Sequence, residues 1–588
     1  MTVGIDPNTL EWLKKEVVPE GTDFKPLREN RVYIRVKPQD VDKLAERFVK
    51  KLGVRLIHAS GVDLAQFGFD IFYIYDFTNL KDKLVVVLEA RLDKDNPTIP
   101  SIGKLTWQAA WPEREMHEFL GVNFEGSVDN RHQFLPYEWP NETESGVALG
   151  QAVEANPNNP APTAAGWRPV GINPKNALAS LIPIGPYHPG VIEGQTVYIR
   201  LEGEHVVDAD IKTGYHHRGI HRLIERRGYN RGVYAAERIC GICSAHHGIA
   251  FVTCVENLYD AEVPERALYL RTLLAELNRI HSHVLWIGVA ADILGWKTGF
   301  MITWGLREKV MDIIEAITGN RVNYGIWRVG GMSRDISQEL ANAALKTVGP
   351  LKENLLKLLP PVAEHPVIKS RLINVGPLDY ATAVDTGAVG PVARASNWKI
   401  DTRATNPPHA MYDPKKISWE IKYNDHRDIY GRLLVRVQEL FVSIDIVAQC
   451  LEYLSKTTGE IRNTPKMIEP GSEAVGLNEA PRGELCYYMR AGGSELPSYM
   501  VPPGKTNVQG SNLPQCVRIR TPSYRNNAVL PYMLIGSALA DVPIIMGSID
   551  QCQACTDRVE IVNDKTESSY TMSWGDLVRM SQKKWRDQ

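Results

Sequence analysis

Two short stretches hold the residues best suited to metal chemistry: Glu237-Arg-Ile-Cys240-Gly-Ile-Cys243-Ser-Ala-His-His-Gly248 and Ser548-Ile-Asp-Gln-Cys552-Gln-Ala-Cys555-Thr-Asp-Arg558. Each separates its two thiols by two residues, so both sulfurs of one turn can point at a single metal centre. Gly241 and Ala554 keep the turns slim. The first pair runs into an apolar segment, 248–258, that reads as a helix. A thiol at a helix N-terminus ionises more easily, and thiolate is the metal-binding form. Four chemistries use such pairs: structural zinc, a [4Fe–4S] cluster, a dithiol redox motif and a thiolate-bound Ni–Fe centre. Zinc pairs usually sit close together in a small ribbon, whereas these lie at opposite ends of a large apolar region. A dithiol needs only one pair. Spacing alone leaves the four readings open.

Other candidates carry a bland alternative beside the chemical one. Tyr215-His216-His217-Arg218-Gly219-Ile220-His221 is histidine-rich. His217 and His221 are one helical turn apart, yet adjacent His216 and His217 cannot both face one ion. Hydrogen-bonded packing histidines are the favoured reading. Trp107-Gln-Ala-Ala-Trp-Pro-Glu113-Arg-Glu115-Met-His117-Glu118 clusters acids around a histidine. It reads as a charged helix face packed on a partner rather than a metal site. Arg394 in Gly390-Pro-Val-Ala-Arg394 and Arg482 in Asn478-Glu479-Ala480-Pro481-Arg482-Gly483 sit in loops stiffened by Pro and Gly. Each offers a rigid guanidinium, for chemistry or for a structural ion pair.

The chain has 588 residues, a net charge of −2 and eight cysteines. That length allows more than one domain, and the charge gives no basic face for nucleic acid. Eight cysteines in such a chain are no disulfide framework. Cys254, Cys450, Cys486 and Cys516 read as buried free thiols in a reducing, cytoplasmic setting. No signal peptide and no bilayer-length apolar run is visible, so membrane association is expected through partners.

The elements that must position these residues follow from periodicity. Residues 1–140 read as a small α+β domain with strands at 31–36, 70–75 and 83–88 and a helix at 40–52. Residues 141–178, rich in Pro, Asn, Ala and Gly, read as a linker. From 179 to 558 a mostly helical domain is expected. A hairpin at 196–210 opens it, and Pro264 with Glu265 starts a long helix striped with Leu270, Leu273, Leu274, Leu277, Ile280 and Val284. His281 and His283 diverge on that helix. Further helices are expected at 307–318, 337–359 and 427–454. No phosphate-binding glycine loop occurs.

Two resemblances emerge. Trp111-Pro-Glu113-Arg-Glu115-Met-His-Glu118-Phe-Leu-Gly121, with Phe134-Leu-Pro136, is similar to the 30-kDa-type accessory subunit of respiratory complex I, which carries no cofactor. The two cysteine pairs, Arg200-Leu-Glu202-Gly203, Gly390-Pro-Val-Ala-Arg394-Ala-Ser396 and Ala480-Pro481-Arg482-Gly483, in that arrangement, resemble the large subunit of energy-converting, group 4 [NiFe]-hydrogenases of the formate hydrogenlyase type. Quinone-side relatives in complex I share the fold and lack the cysteine pairs.

The resemblance implies a reversible hydrogenase, with H2 evolution coupled to ion translocation. Cys243 and Cys555 would bridge Ni and Fe, and Cys240 and Cys552 would bind Ni terminally. CO and cyanide would complete the iron. Arg482 would lie over the open face, and Asp550 would hold it. Cys552 would accept a proton and Glu202 would carry it outward. Partners implied are an iron–sulfur small subunit bearing [4Fe–4S] clusters, ferredoxin-like electron-transfer subunits, membrane antiporter-like subunits and a maturation endopeptidase. That endopeptidase would cut after Arg558 and release 559–588. The complex would sit on the cytoplasmic face of the cell membrane. Three departures stand out. Gln551 replaces the proline of Asp-Pro-Cys. Ser282 stands where uptake enzymes carry Asp. His221 and Arg558 replace ligands of an accessory Mg site, which is therefore not carried over. The competing readings are a non-catalytic complex-I-like quinone or coupling subunit and a zinc-stabilised scaffold.

Overall fold

A computed structural model of the chain describes residues 7–17, 23–26, 31–135, 180–556, 561–563 and 568–570, apart from 82–83, 130, 189–192, 217, 260, 406–411, 464–467, 469 and 493–512. The linker at 141–178, His217 and the cut site after Arg558 lie outside the described residues.

The amino-terminal part is a five-stranded sheet in the order β1-β2-β5-β4-β3. Its strands are β1 (Asp23–Pro26), β2 (Arg31–Val36), β3 (Arg55–Asp63), β4 (Phe69–Asp76) and β5 (Val85–Leu92). Only β2 and β5 pair in parallel. The expected helix at 40–52 forms as α1 (Val41–Glu46), continued by a wider π turn over Arg47–Lys51. It seals one face of the sheet through Val41, Leu44 and Phe48.

The acidic segment becomes α2 (Ala110–Leu120). Its charges turn inward instead of facing a partner. Glu113 accepts from Ser101 Oγ at 2.6 Å and the Ile102 N–H at 2.9 Å. Glu118 accepts the Gln133 N–H at 2.8 Å, and Arg114 donates to Arg131 O at 2.9 Å. These buried hydrogen bonds satisfy a loop that would otherwise leave bare N–H groups.

The second part begins with an antiparallel sheet of β6 (Ser180–Ile184), β7 (Thr196–Glu202) and β8 (His205–Lys212). Then come α3 (Ile220–Glu237), α4 (Ser244–Tyr259), α5 (Glu265–Ile293), α6 (Lys297–Thr318), α7 (Gln338–Ala363), α8 (Gly390–Ala395) and α9 (Ile429–Lys456). Helix α5 is buried on nearly every side, which explains why its apolar stripe has so many buried polar neighbours. Helix α6 starts ahead of its expected 307 boundary. A last sheet, β9 (Glu473–Ala480), β10 (Gly483–Ala491) and β11 (Pro514–Arg520), precedes α10 (Pro522–Leu534), α11 (Val542–Ser548) and α12 (Gln553–Thr556).

The amino-terminal sheet packs on this last sheet. Phe72 stacks on Tyr488 with ring centroids 3.9 Å apart. Arg490 meets Asp70 at 2.6 Å, and Arg55 donates to Glu484 at 3.0 Å. Glu484 follows Arg482 by two residues, so the small domain buttresses the turn that carries Arg482. Burial opposes the Glu484 charge, but Arg55 and Arg520 outweigh it and hold the carboxyl at about 2.

Candidate metal centre

Helix α3 ends one turn before Cys240, and α4 begins right after Cys243. The first cysteine pair therefore fills a tight connection between two buried helices. The backbone N–H groups of Ile242 and Cys243 both point at Cys240 Sγ, each at 3.3 Å. The second pair opens α12, after a backbone kink at Asp550, whose φ is 54°. Asp tolerates that left-handed conformation better than most residues. The Cys552 N–H donates to Ser523 Oγ at 2.9 Å, and Thr521 Oγ1 donates to Cys555 O at 3.1 Å.

Folding brings the two distant pairs together. Cys240 Sγ lies 3.4 Å from Cys552 Sγ, and Cys243 Sγ lies 3.9 Å from Cys555 Sγ. All four are buried. The ligand atoms of Cys240, Cys552 and Cys555 all lie within 4.8 Å of one another, as do those of Cys243, His247 and Cys555. The quartet shares its protons. Hydrogen bonds from Cys243, Cys552 and Cys555 hold the Cys240 thiol well below its ordinary value, and the same bond to Cys240 pushes Cys552 well above it. Four thiolates this close need a cation among them.

The surrounding side chains are fixed. Arg482 Nη2 donates to Asp550 Oδ1 at 2.8 Å, and its Nε donates to Asp550 O. Burial works against the Arg482 charge, but Asp550, Cys240, Cys243 and Cys552 outweigh it. Burial pushes the Asp550 carboxyl up, partly offset by Arg482 and Arg436. Among the described residues, Arg482 Nη1, Asp550 Oδ2 and Gln551 Oε1 are buried with no hydrogen-bond partner. Such orphaned atoms beside four soft sulfurs suit a metal group that carries polar ligands of its own.

Arg394 takes the bland role. It pairs with Glu439 at 2.6 Å and Glu479 at 2.8 Å, inside a buried network with Asp401, Arg403, Glu276 and Arg279. This network anchors Asn478–Arg482 from behind. His281 and His283 diverge as expected, to Arg307 at 2.8 Å and Glu439 at 3.0 Å. His216 accepts the Gly194 N–H at 2.9 Å.

Glu202 does not reach the sulfurs. It ends β7 opposite His205 and is exposed, because the alternation that buries Leu201 turns its neighbour outward. The carboxylate on the centre is Glu193, from the loop before β7. Its Oε1 lies 3.6 Å from Cys552 Sγ, and its Oε2 accepts the N–H groups of Gln553 and Ala554, the latter at 3.0 Å. Sequence reading named Glu202 of Glu202-Gly203, whereas the carboxylate that the fold sets beside Cys552 is Glu193 of Glu193-Gly194.

It also passed over two other residues. His247 stands 3.5 Å from Cys555 Sγ through Nε2 and 2.8 Å from Tyr487 OH through Nδ1. Its offset of one helical turn from Cys243 was a readable signal. Arg218 donates to Arg238 O at 2.7 Å, Ile239 O at 2.6 Å and Ala554 O at 3.0 Å, clamping the two cysteine loops together. Nothing local in the sequence points to that clamp.

Comparison with known proteins agrees with this architecture. Residues 34–146 match the family of the 30 kDa subunit of respiratory-chain NADH dehydrogenase, and 293–558 match that of its 49 kDa subunit. Residues 218–288, which include the first cysteine pair, match the nickel-dependent hydrogenases. The membrane-bound hydrogenase subunit alpha of Pyrococcus furiosus is 35% identical, covering 69% of this chain and 93% of that protein. Formate hydrogenlyase subunit 5 of Escherichia coli is 31% identical, covering 85% and 84%.

The chain belongs to the large-subunit family of group 4 nickel–iron hydrogenases. Among solved structures, the membrane-bound sulfane sulfur reductase, an archaeal respiratory membrane complex, contains a chain 28% identical, with a TM-score of 0.59, covering 66% of this chain and all of that one. For a hydrogenase large subunit the four converging sulfurs and the orphaned polar atoms form a fitting pocket. No helix among the described residues is long and apolar enough to cross a membrane.

Proposed function

We propose that this chain is the catalytic subunit of a membrane-associated hydrogenase that interconverts protons, electrons and H2. The observation that carries this reading is the buried sulfur quartet with Glu193 against Cys552 and Arg482 fixed above the same loop. Cys240, Cys243, Cys552 and Cys555 would hold a Ni–Fe group with CO and cyanide on iron. When bound, that group supplies the redox chemistry of H2.

The protein's own residues manage protons and water. Cys552 Sγ accepts a proton and Glu193 Oε1 relays it, since the two atoms are 3.6 Å apart. Arg482 keeps a permanent charge beside the sulfurs, and Asp550 fixes its plane. His247 hydrogen-bonds the Cys555 sulfur. Arg218 keeps the two loops in register.

Electrons must cross to another protein. The first cysteine loop is the thin wall: Gly241 is exposed and Ile242 half-buried, while the sulfurs beneath are buried. An iron–sulfur small subunit would dock there with a [4Fe–4S] cluster, followed by ferredoxin-like carriers. Membrane antiporter-like subunits would anchor the complex to the cytoplasmic face of the membrane. A maturation endopeptidase would cut after Arg558, which mass spectrometry of nickel-loaded protein tests directly.

Metal analysis with infrared spectroscopy tests the whole reading. Nickel and iron together, with CO and cyanide stretches, are expected. Zinc alone, or no metal in a purified active complex, overturns it.

A further inference from the structure

Helix α4 offers two metal-binding side chains at its start: Cys243, just before the first residue, and His247, one turn on. The His247 N–H donates to Cys243 O at 3.2 Å, so a backbone hydrogen bond closes the turn between them. Cys555, on α12, completes a trio. Its Sγ lies 3.9 Å from Cys243 Sγ and 3.5 Å from His247 Nε2. All three residues are buried.

A zinc-class ion binds thiolate at about 2.3 Å and imidazole at about 2.0 Å, in a tetrahedron. Two sulfurs on such an ion stand about 3.8 Å apart, and a sulfur and a nitrogen about 3.5 Å. The trio already has those edges. Cys240 and Cys552, at 3.4 Å, are closer than the edge between two sulfurs. The donor atoms form two groups that share Cys555: Cys240 with Cys552, and Cys243 with His247.

The surroundings prepare the imidazole. Tyr487 OH lies 2.8 Å from His247 Nδ1, and the two rings meet edge-on with centroids 6.0 Å apart. When the hydroxyl accepts the Nδ1–H, the Nε2 lone pair faces the sulfurs, which is the tautomer a metal requires. Two thiolates, one neutral imidazole and a divalent ion carry no net charge, which suits a buried position. The way in is short, because Gly241 is exposed and Ile242 half-buried directly before Cys243.

We propose that Cys243, His247 and Cys555 form a binding site for one zinc-class divalent ion, an occupant that competes with the Ni–Fe group for Cys243 and Cys555. Binding expels the two thiol protons, and no electrons move. The site rests on the sulfur and imidazole geometry. Its competition with a Ni–Fe group rests on the metal-centre reading.

Purified, metal-free, full-length chain is titrated with Zn2+ against a competing chelator, and zinc X-ray absorption reads the bound shell. One tight ion per chain is expected, with sulfur and imidazole scattering together. His247→Gln removes the ring nitrogen and is expected to bind Zn2+ on the order of 100-fold more weakly. Tyr487→Phe keeps the ring packing and loses only the hydroxyl. It is expected to bind about 10-fold more weakly.

A wild-type shell of sulfur alone overturns the proposal, because the ion then sits among the four thiolates. A shell of nitrogen and oxygen alone also overturns it, because that marks adventitious surface binding. So does unchanged affinity in His247→Gln, or in Tyr487→Phe where the first variant does not fold. Complex purified with nickel and iron in place is expected to take up no zinc in a sulfur–imidazole shell; uptake there overturns the competition. Nickel and iron analysis of protein from cells judges the hydrogenase reading separately. Their absence sinks that reading and leaves the zinc shell of the metal-free chain to be judged by its own spectrum.

Discussion

Glu193 Oε1 lies 3.6 Å from Cys552 Sγ, while its other oxygen accepts the N–H groups that open α12. One carboxylate thus caps the helix that carries Cys555 and lies against Cys552 just before it. Glu193→Gln keeps the cap and removes the titratable proton. H2 turnover is expected to fall about 10²-fold or more, with nickel and iron content and the infrared bands unchanged. Glu202→Gln, on the exposed hairpin, is expected to keep wild-type turnover. Equal activity in the two variants removes the assignment.

Arg482 holds Asp550 through both its backbone oxygen and its carboxylate. Lysine is a flexible point charge and cannot make that two-sided contact. Arg482→Lys is expected to lower turnover by about 10²-fold and to shift the CO and cyanide stretches. Wild-type spectra and rates would reject the role.

Arg218 ties the carbonyls of Arg238 and Ile239 to that of Ala554. Arg218→Met removes a hydrogen-bonded clamp across the two cysteine loops. About 1 kcal/mol of stability should be lost, since the guanidinium is exposed, and nickel should dissociate faster into a chelator. A variant that retains nickel as wild type does would show that the loops hold themselves.

Burial raises Glu113 from 4.5 to about 7, although Ser101 and Ile102 hydrogen-bond its oxygens. Between these values the unfolded chain has released this proton and the folded chain keeps it. The folded state thus binds more protons, and Glu113 subtracts stability as pH rises from 4.5 to 7, levelling off above. Glu113→Gln lacks this term. Relative to wild type it should gain about 2–3 kcal/mol between pH 4.5 and pH 8, read from denaturant unfolding at each pH. A difference that does not change with pH would show that Glu113 is ionised in the fold.

Much of the architecture was legible because it depends on local pattern. Strands at 31–36 and 70–75, the 196–210 hairpin and the long helix after Pro264 were readable from local apolar runs and turn signals, and they formed, although β4 and α5 are buried on nearly every side rather than on one face. The charged α2 misled, because charge on a helix reads as a solvent or partner face. Here the residues at 131–135 fold back and bury it.

By itself, the sequence determined the donor set: two turns, each offering paired sulfurs, and a stiff loop presenting Arg482. Residue type and short-range spacing carry that information. Only the tertiary structure decided which carboxylate lies against Cys552. Glu193 and Glu202 share the same local Glu-Gly context, but strand alternation sends one outward and the loop path sends the other to Cys552. The clamp by Arg218 was equally invisible. Its partner Ala554 lies far along the chain, and a side chain's neighbours across such separations are set by packing, not by spacing.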